Sequence, residues 1–232
     1  MQTVDLDQAK FPFHRRHRNA VLLVTLLLLM FLAPLDVIFK DSKLLDTVMA
    51  TIVIVASLNA ISHRKRSTVF WAVGLAIPAV IFGWLQTFDQ TFDQTFDTRT
   101  IHQTAAHIFG AALYIFIATL LFKVLFTEDE IKTDQIFSAV AIYIFIGLTW
   151  GHFYALEETL HPGSITGGLT DASSSSANFV YFSFVTLTTL GYGDMLPVSP
   201  GAKALVIIES ITGVMFVAIL VSTLVGRVNM RR

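Results

Sequence analysis

Long apolar runs alternate with short polar segments along the whole chain. Several of these runs exceed the ~18 residues at which a membrane-spanning helix is the default interpretation. The pattern predicts an all-α integral membrane protein with six transmembrane helices. The predicted helices cover 19–39, 44–62, 68–86, 101–126, 133–155 and 202–226.

A further apolar run, 172–193, has a different character. It contains four consecutive serines near its start, Ser173–Ser176, and ends in Gly191-Tyr192-Gly193. Irregular backbone at membrane depth must be shielded by protein. We therefore predict a re-entrant segment that enters from the outer side and returns to the same side.

The distribution of basic residues supports this topology. With six spans and a cytoplasmic N-terminus, twelve of the 16 Lys and Arg residues lie in cytoplasmic segments, as the positive-inside rule requires of short loops. A seventh full span would place the C-terminal arginines outside. We expect a multi-pass protein of the cell membrane, embedded in the lipid bilayer, with both termini in the cytoplasm.

The amino-acid composition argues against several classes of protein. Hydrophobic residues make up 54% of the chain and charged residues 14%, which argues against a water-soluble domain. The formal net charge of −1 argues against nucleic-acid binding, and the lack of cysteine excludes disulfides and thiolate metal sites. We recognise no P-loop, metalloprotease helix or catalytic triad, so we expect neither an enzyme nor a bound cofactor.

The candidate chemistry lies at the end of the re-entrant run, in Thr188-Thr189-Leu190-Gly191-Tyr192-Gly193-Asp194. Glycine adopts backbone angles closed to other residues, so Gly191 and Gly193 allow successive carbonyls to turn to one side of the chain. A row of carbonyl oxygens can replace the water shell of a cation. The segment therefore predicts a path for dehydrated cations.

This segment resembles the selectivity filter of the potassium-channel pore family, T-V-G-Y-G, with leucine in place of valine. The resemblance implies that the carbonyls of Thr189, Leu190, Gly191 and Tyr192 coordinate K⁺, and that Gly193 completes the filter. It also implies a pore helix at 178–188 and a homotetramer, because four such segments build one filter. K⁺ is then the transported ion and not a cofactor.

Three residues beside the filter are expected to support it, namely Thr188, Asp194 and Tyr181. Many family members carry two adjacent tryptophans on the pore helix, at the positions of Tyr181 and Phe182 here. Tyr181 keeps a hydrogen-bond donor for Asp194, whereas Phe182 has none to offer the filter tyrosine. Slow inactivation therefore does not follow from the resemblance.

Two residues of the last helix have two open interpretations each. Gly213 lies where the family has its hinge glycine, but a small residue also lets membrane helices approach closely. Glu209 is a carboxylate deep in that helix. It is either a functional ionisable group or a neutral, hydrogen-bonded residue packed behind the pore helix.

The first four helices resemble a voltage-sensor domain in layout, but not in charge. The run 100–122 contains no Lys or Arg, and Lys123 follows at its cytoplasmic end. Because steep gating needs ~3–4 charges per subunit, we expect little or no voltage dependence from this helix. His102 and His107 are candidate pH sensors, although a membrane histidine is more often packed and hydrogen-bonded.

The segment 87–98, between the third and fourth helices, reads TFDQTFDQTFDT. On a helix, the period of four places its phenylalanines on one stripe, with Asp89, Asp93 and Asp97 beside them. An acidic outer loop or helix extension is the simpler interpretation, and a divalent-cation site is the alternative.

The chain as a whole predicts a cytoplasmic N-terminus at 1–18, a four-helix membrane domain at 19–126 and a pore domain at 127–232. The predicted function is passive, potassium-selective conduction across the membrane. The alternatives are a weakly selective cation channel and a non-conducting membrane subunit or sensor with a vestigial pore.

Overall fold

The computed structural model of the protein describes residues 18–32, 42–62, 65–88, 96–127, 133–167 and 176–229. These ranges contain seven helices and one two-stranded sheet. In chain order, the elements are α1 (Arg18–Leu32), α2 (Ser42–Ile61), α3 (Arg66–Phe88), α4 (Phe96–Thr127), α5 (Thr133–Leu160), β1 (Ile165–Gly167), α6 (Ser176–Leu187), β2 (Met195–Pro197) and α7 (Pro200–Asn229).

Four helices, α3, α4, α5 and α7, are long and apolar enough to cross a membrane. Their candidate spans have 23 to 26 residues, which at a rise of about 1.5 Å per residue exceed a hydrocarbon core of about 30 Å. The apolar stretches of α1 and α2, Asn19–Leu32 and Asp46–Ile61, are shorter. The protein is a multi-pass membrane protein, and the number of six spans stays a prediction.

The helices follow the predicted apolar runs, with differences at their ends. α5 continues to Leu160, past its predicted end at 155, and the carboxylate of Glu158 in its last turn accepts hydrogen bonds from the following loop. α6 spans Ser176–Leu187 instead of 178–188. Residues 33–39 of the first predicted helix, and Asp89 and Asp93 of the repeat, lie outside the described residues.

The main apolar core lies where α1 to α4 pack together and against α5. Close packing of such side chains is what associates helices inside a membrane, because lipid offers no hydrophobic driving force between them. The largest fully buried members of this core are Leu22, Leu26, Leu113, Ile117, Ile142 and Phe145.

Glycines allow α5 to approach both of its neighbours closely. A Cβ on Gly147 would lie 2.5 Å from the ring of Phe184 on α6, and one on Gly151 would lie 3.1 Å from the α6 backbone. On the other side, a Cβ on Gly110 of α4 would lie 2.8 Å from the ring of His152. α5 therefore connects the first four helices with α6.

A short sheet joins the loop after α5 to the segment that follows the candidate filter. β1 and β2 are antiparallel, with Thr166 opposite Leu196. Gly167 ends β1 with a φ of 88°, and a side chain there would collide with the carbonyl of Asp194. The sequence did not predict this sheet, because strands of three residues carry no recognisable alternation.

Candidate functional site

Helix α6, the predicted pore helix, ends directly before the candidate filter and holds it by backbone hydrogen bonds. The N–H of Thr189 donates to the carbonyl of Thr186 at 2.9 Å. The N–H groups of Leu190 and Gly191 both donate to the carbonyl of Val185, at 2.9 and 3.2 Å. The last four carbonyls of a helix lack partners within it, so the filter backbone completes the end of α6.

The φ angle alternates in sign along the backbone of the filter segment. Thr189, Gly191 and Gly193 have positive φ values of 60°, 58° and 78°, whereas Leu190 and Tyr192 between them do not. Such alternation turns successive peptide groups to the same side of the chain. A positive φ is costly for a β-branched residue such as Thr189, and such strain persists only where the surrounding contacts impose it.

The hydrogen bonds to α6 also determine where the filter carbonyls point. In a trans peptide the C=O lies opposite the N–H, and no cis peptide occurs among the described residues. Because the N–H groups of residues 189–191 face α6, the carbonyls of Thr188, Thr189 and Leu190 face away from it. Residues 188–194 are all exposed, Leu190 to 54% and Tyr192 to 67%.

At the C-terminal end of the filter segment, Tyr181 contacts Asp194. The Tyr181 hydroxyl donates to Oδ2 of Asp194 at 2.6 Å, and the N–H of Met195 donates to Oδ1 at 3.1 Å. The tyrosine thus provides the donor that the sequence led us to expect at this position. That this contact supports the filter, as does Thr188, stays a prediction.

Phe182, the neighbour of Tyr181, points into the protein. Its side chain is buried, and its ring packs edge-to-face on that of Tyr154 of α5, with ring centroids 4.7 Å apart. The surface behind the filter is therefore apolar at this point. A second polar contact forms at the inner end of α6, where the Tyr143 hydroxyl donates to the carbonyl of Leu187 at 3.3 Å.

Gly213 brings α7 against the same end of α6. The helix continues without interruption through Gly213, and a Cβ there would collide with the carbonyl oxygen of Leu187 and lie 3.0 Å from its Cδ1. This contact supports the second interpretation of Gly213, a small residue that permits close approach. Its role as a hinge stays a prediction.

Glu209 is fully buried between α5, α6 and α7. Its Oε2 accepts a hydrogen bond from the hydroxyl of Tyr154, and its Oε1 lies 2.5 Å from Oγ of Ser183. The Ser183 Oγ lies in turn 2.7 Å from the carbonyl of Gly147. Glu209 therefore occupies the packed, hydrogen-bonded position behind the pore helix.

The two histidines of α4 are not brought together. Nδ1 of His107 lies 3.1 Å from Nδ1 of His152 on α5, whereas the ring of His102 lies against Phe82 of α3. The sequence analysis missed His152, and also Tyr154 and Ser183. The spacing Gly147-x-x-x-Gly151 was an available signal of a close helix contact, but nothing in the sequence pairs the histidines or finds a partner for Glu209.

No group of three or more His, Cys, Asp or Glu side chains that could hold a metal ion occurs within the described ranges. The candidate cation ligands at this site are the backbone carbonyls of the filter segment, of which those of Thr188, Thr189 and Leu190 face away from α6. Whether the repeat at 87–98 binds a divalent cation stays open, because most of it lies outside those ranges.

Comparison with known proteins agrees with this geometry. Residues 139–229, from α5 through the filter to the end of α7, match the family model described as ion channel. The model describes a family of channels and not of enzymes, and this match supports the predicted resemblance to the potassium-channel pore family, as do two curated relatives.

The first relative is "Voltage-gated potassium channel Kch" from Escherichia coli (strain K12), 27% identical over 171 residues, which are 73% of this chain and 35% of the relative. The second is "Two pore potassium channel c" from Oryza sativa subsp. japonica, 38% identical over 86 residues, which are 37% of this chain and 17% of the relative. The alignments thus cover about a third of one relative and a sixth of the other. No solved structure matches the chain.

Proposed function

We propose that the protein is a potassium-selective channel that conducts K⁺ passively across the membrane. The observation that carries the proposal is the alternating sign of φ along Thr189–Gly193 in the sequence T-L-G-Y-G, with the carbonyls of Thr188, Thr189 and Leu190 turned away from α6. Carbonyls arranged in this way can replace the hydration shell of K⁺. The names of the two relatives support potassium as the ion.

The channel is proposed to be a homotetramer. One chain supplies one filter segment, and a ring of carbonyls around an ion requires four. The exposure of the filter supports this assembly. Helix α7 supports it too, because only 11% of the residues in its most apolar stretch are buried. The uncovered apolar side chains of α7 include Ile207, Ile208, Ile211, Val214 and Met215.

The proposed orientation places the filter at the outer side and both termini in the cytoplasm. The C-terminal end of α6 then points towards the centre of the membrane. Because a helix C-terminus carries about half a negative charge, four such ends favour a cation in the cavity below the filter. This adds an electrostatic term to the coordination by the carbonyls.

Flux measurements on the purified protein in liposomes test the proposal. We expect K⁺ flux that greatly exceeds Na⁺ flux under the same gradient. Replacement Gly191→Ala should abolish the flux or its selectivity, because a Cβ strains the backbone at a φ of 58°. Gly83→Ala in α3 is the matched control: nothing lies within 4 Å of its Cβ, so its flux should equal that of the unmodified protein.

The outcomes separate the alternatives. Selective flux that survives in Gly191→Ala contradicts the assignment of the filter. Equal K⁺ and Na⁺ fluxes in the unmodified protein indicate a weakly selective cation channel. A properly assembled protein that conducts neither ion is a non-conducting membrane subunit.

A further inference from the structure

Glu209 occupies a site where three helices of the pore region meet. Its carboxyl group contacts the Tyr154 hydroxyl of α5 through one oxygen and the Ser183 hydroxyl of α6 through the other. The side chain is 0% exposed. The interactions of this one carboxyl group therefore join the inner helix, the outer helix and the pore helix.

The number of protons at this site constrains the state of the carboxyl group. Ser183 has one hydroxyl proton but two oxygen neighbours, the Gly147 carbonyl at 2.7 Å and Oε1 of Glu209 at 2.5 Å. A carbonyl can only accept, so the proton of Ser183 goes to Gly147. The contact with Glu209 then needs a proton from Glu209 itself. If Glu209 were ionised, one of these two short contacts would hold no proton and would be repulsive.

The surrounding charges agree with this count. The titratable neighbours of Glu209 are Tyr154 and Tyr143, both of α5, and within the described part of the chain neither α6 nor α7 brings a cation into ion-pair contact with it. An isolated carboxylate is very costly in a medium that lacks water. A neutral carboxylic acid instead donates one hydrogen bond and accepts another, as this site requires.

The hydrogen bonds that join Tyr154, Glu209 and Ser183 are linked to the filter through α6. Ser183 lies two residues before Val185, whose carbonyl accepts the N–H groups of Leu190 and Gly191. Tyr154 also packs against Phe182, the residue before Ser183. A change at Glu209 is therefore transmitted to the last turn of α6, whose carbonyls accept the hydrogen bonds of the filter.

We propose that Glu209 is held as an uncharged carboxylic acid and acts as a positioning residue for the filter. It donates to Ser183 and accepts from Tyr154, and so fixes the pore helix against α5 and α7. The positioning role rests on the proposed function of a potassium channel. The protonation state does not depend on that function.

Infrared spectroscopy tests the protonation state directly. At neutral pH, the unmodified protein should show the C=O stretch of a buried protonated carboxyl group, and this band should be missing in Glu209→Gln. The band should shift when the protein is exchanged into D₂O. A difference spectrum that contains only carboxylate bands overturns the proposal, and it does so even if the protein conducts no ions.

Liposome fluxes test the positioning role with two substitutions of similar size. Glutamine can donate and accept at the same places, so Glu209→Gln should keep the K⁺/Na⁺ flux ratio within about twofold. Leucine can do neither, so Glu209→Leu should lower the ratio by about tenfold or more. Ser210→Ala is the neighbouring control, since its hydroxyl bonds only to Val206 of its own helix.

The remaining outcomes are decisive as well. Equal selectivity in Glu209→Leu and the unmodified protein overturns the positioning role, and equal losses in Glu209→Leu and Glu209→Gln show that a neutral side chain does not suffice. If the leucine variant does not assemble, Tyr154→Phe and Ser183→Ala can be used instead. Each removes one hydrogen bond with Glu209 and should lower selectivity by a smaller factor. Unchanged selectivity in both also overturns the role.

Discussion

Thr189 shows how the filter depends on backbone angles more than on side chains. Its φ of 60° lies in a region that β-branched residues avoid. Three N–H groups, those of Thr189, Leu190 and Gly191, are bonded to carbonyls at the end of α6 and hold the strained segment in place. Strain of this kind marks functional sites, because the rest of the protein must offset its cost.

At the outer end of the filter, the single contact between Tyr181 and Asp194 can be tested by substitution. Tyr181→Phe removes the donor but keeps the ring, so we expect shorter open periods in single-channel recordings from lipid bilayers. Asp194→Ala should have a similar effect, and the double variant should be no worse than either single one. Additive effects would show that the two residues act independently.

Some features of the candidate site could be predicted from the sequence and others could not. Gly191 and Gly193 were recognisable because few residues other than glycine adopt positive φ, and both have it. The positive φ of Thr189 was not foreseeable, since it is imposed by hydrogen bonds to α6. The partners of Glu209 were equally hidden, because Tyr154 and Ser183 lie 55 and 26 residues away from it in the chain.

At the scale of helices, α5 packs against α1 and α4 and also against α6. Gly147 and Gly151 bring it onto α6, and Gly110 of α4 accommodates the ring of His152. The hydrogen bond between His107 and His152 crosses the same α4–α5 interface. These contacts join α4 to α5 and α5 to α6, so we expect a displacement of α4 to act on α6 through α5.

Gly110→Ala tests the α4–α5 contact. The new Cβ would lie 2.8 Å from the His152 ring, so we expect a loss of about 1–3 kcal/mol, as in other overpacked cores. Thermal unfolding in detergent measures the loss, with Gly83→Ala as the control. The double variant Gly110→Ala/His152→Ala should recover part of it, since the ring is then absent. Equal stabilities of Gly110→Ala and the control would contradict the predicted clash.

Gly213→Ala separates close approach from hinge motion. Its Cβ would meet the backbone carbonyl of Leu187, which cannot rotate away as a side chain can. Close approach predicts a lower unfolding temperature and a lower flux. A hinge role alone predicts altered opening with an unchanged unfolding temperature, so the two measurements on one variant decide between them.

At the scale of the molecule, the apolar pattern predicted the helices well, because membrane length sets a minimum that only long uncharged runs satisfy. The four helices α3, α4, α5 and α7 satisfy it, and residues 139–229 match the family model described as ion channel. The short sheet beside the filter escaped prediction, because the pairing of β1 with β2 depends on a fold that places distant segments side by side.

The charge content of α4 leads to a prediction for the whole channel. Arg99 and Lys123, the basic residues of this helix, lie near its two ends. A charge that does not cross the membrane field contributes nothing to voltage gating, whereas each that does contributes about 2.3 kcal/mol per 100 mV. We expect a nearly flat curve of open probability against voltage in planar bilayers. A steep curve with several gating charges would show that another segment carries them.

The carbonyl oxygen of Leu187 lies where α5, α6 and α7 of the proposed channel meet. Gly213 of α7 rests against this one atom, and the hydroxyl of Tyr143 on α5 donates to it. It lies two residues before Thr189, at the base of the filter. We therefore predict that a tilt or rotation of α7 at Gly213 would displace the segment that leads into the candidate filter. In the proposed channel, a change in opening would then also change ion selection.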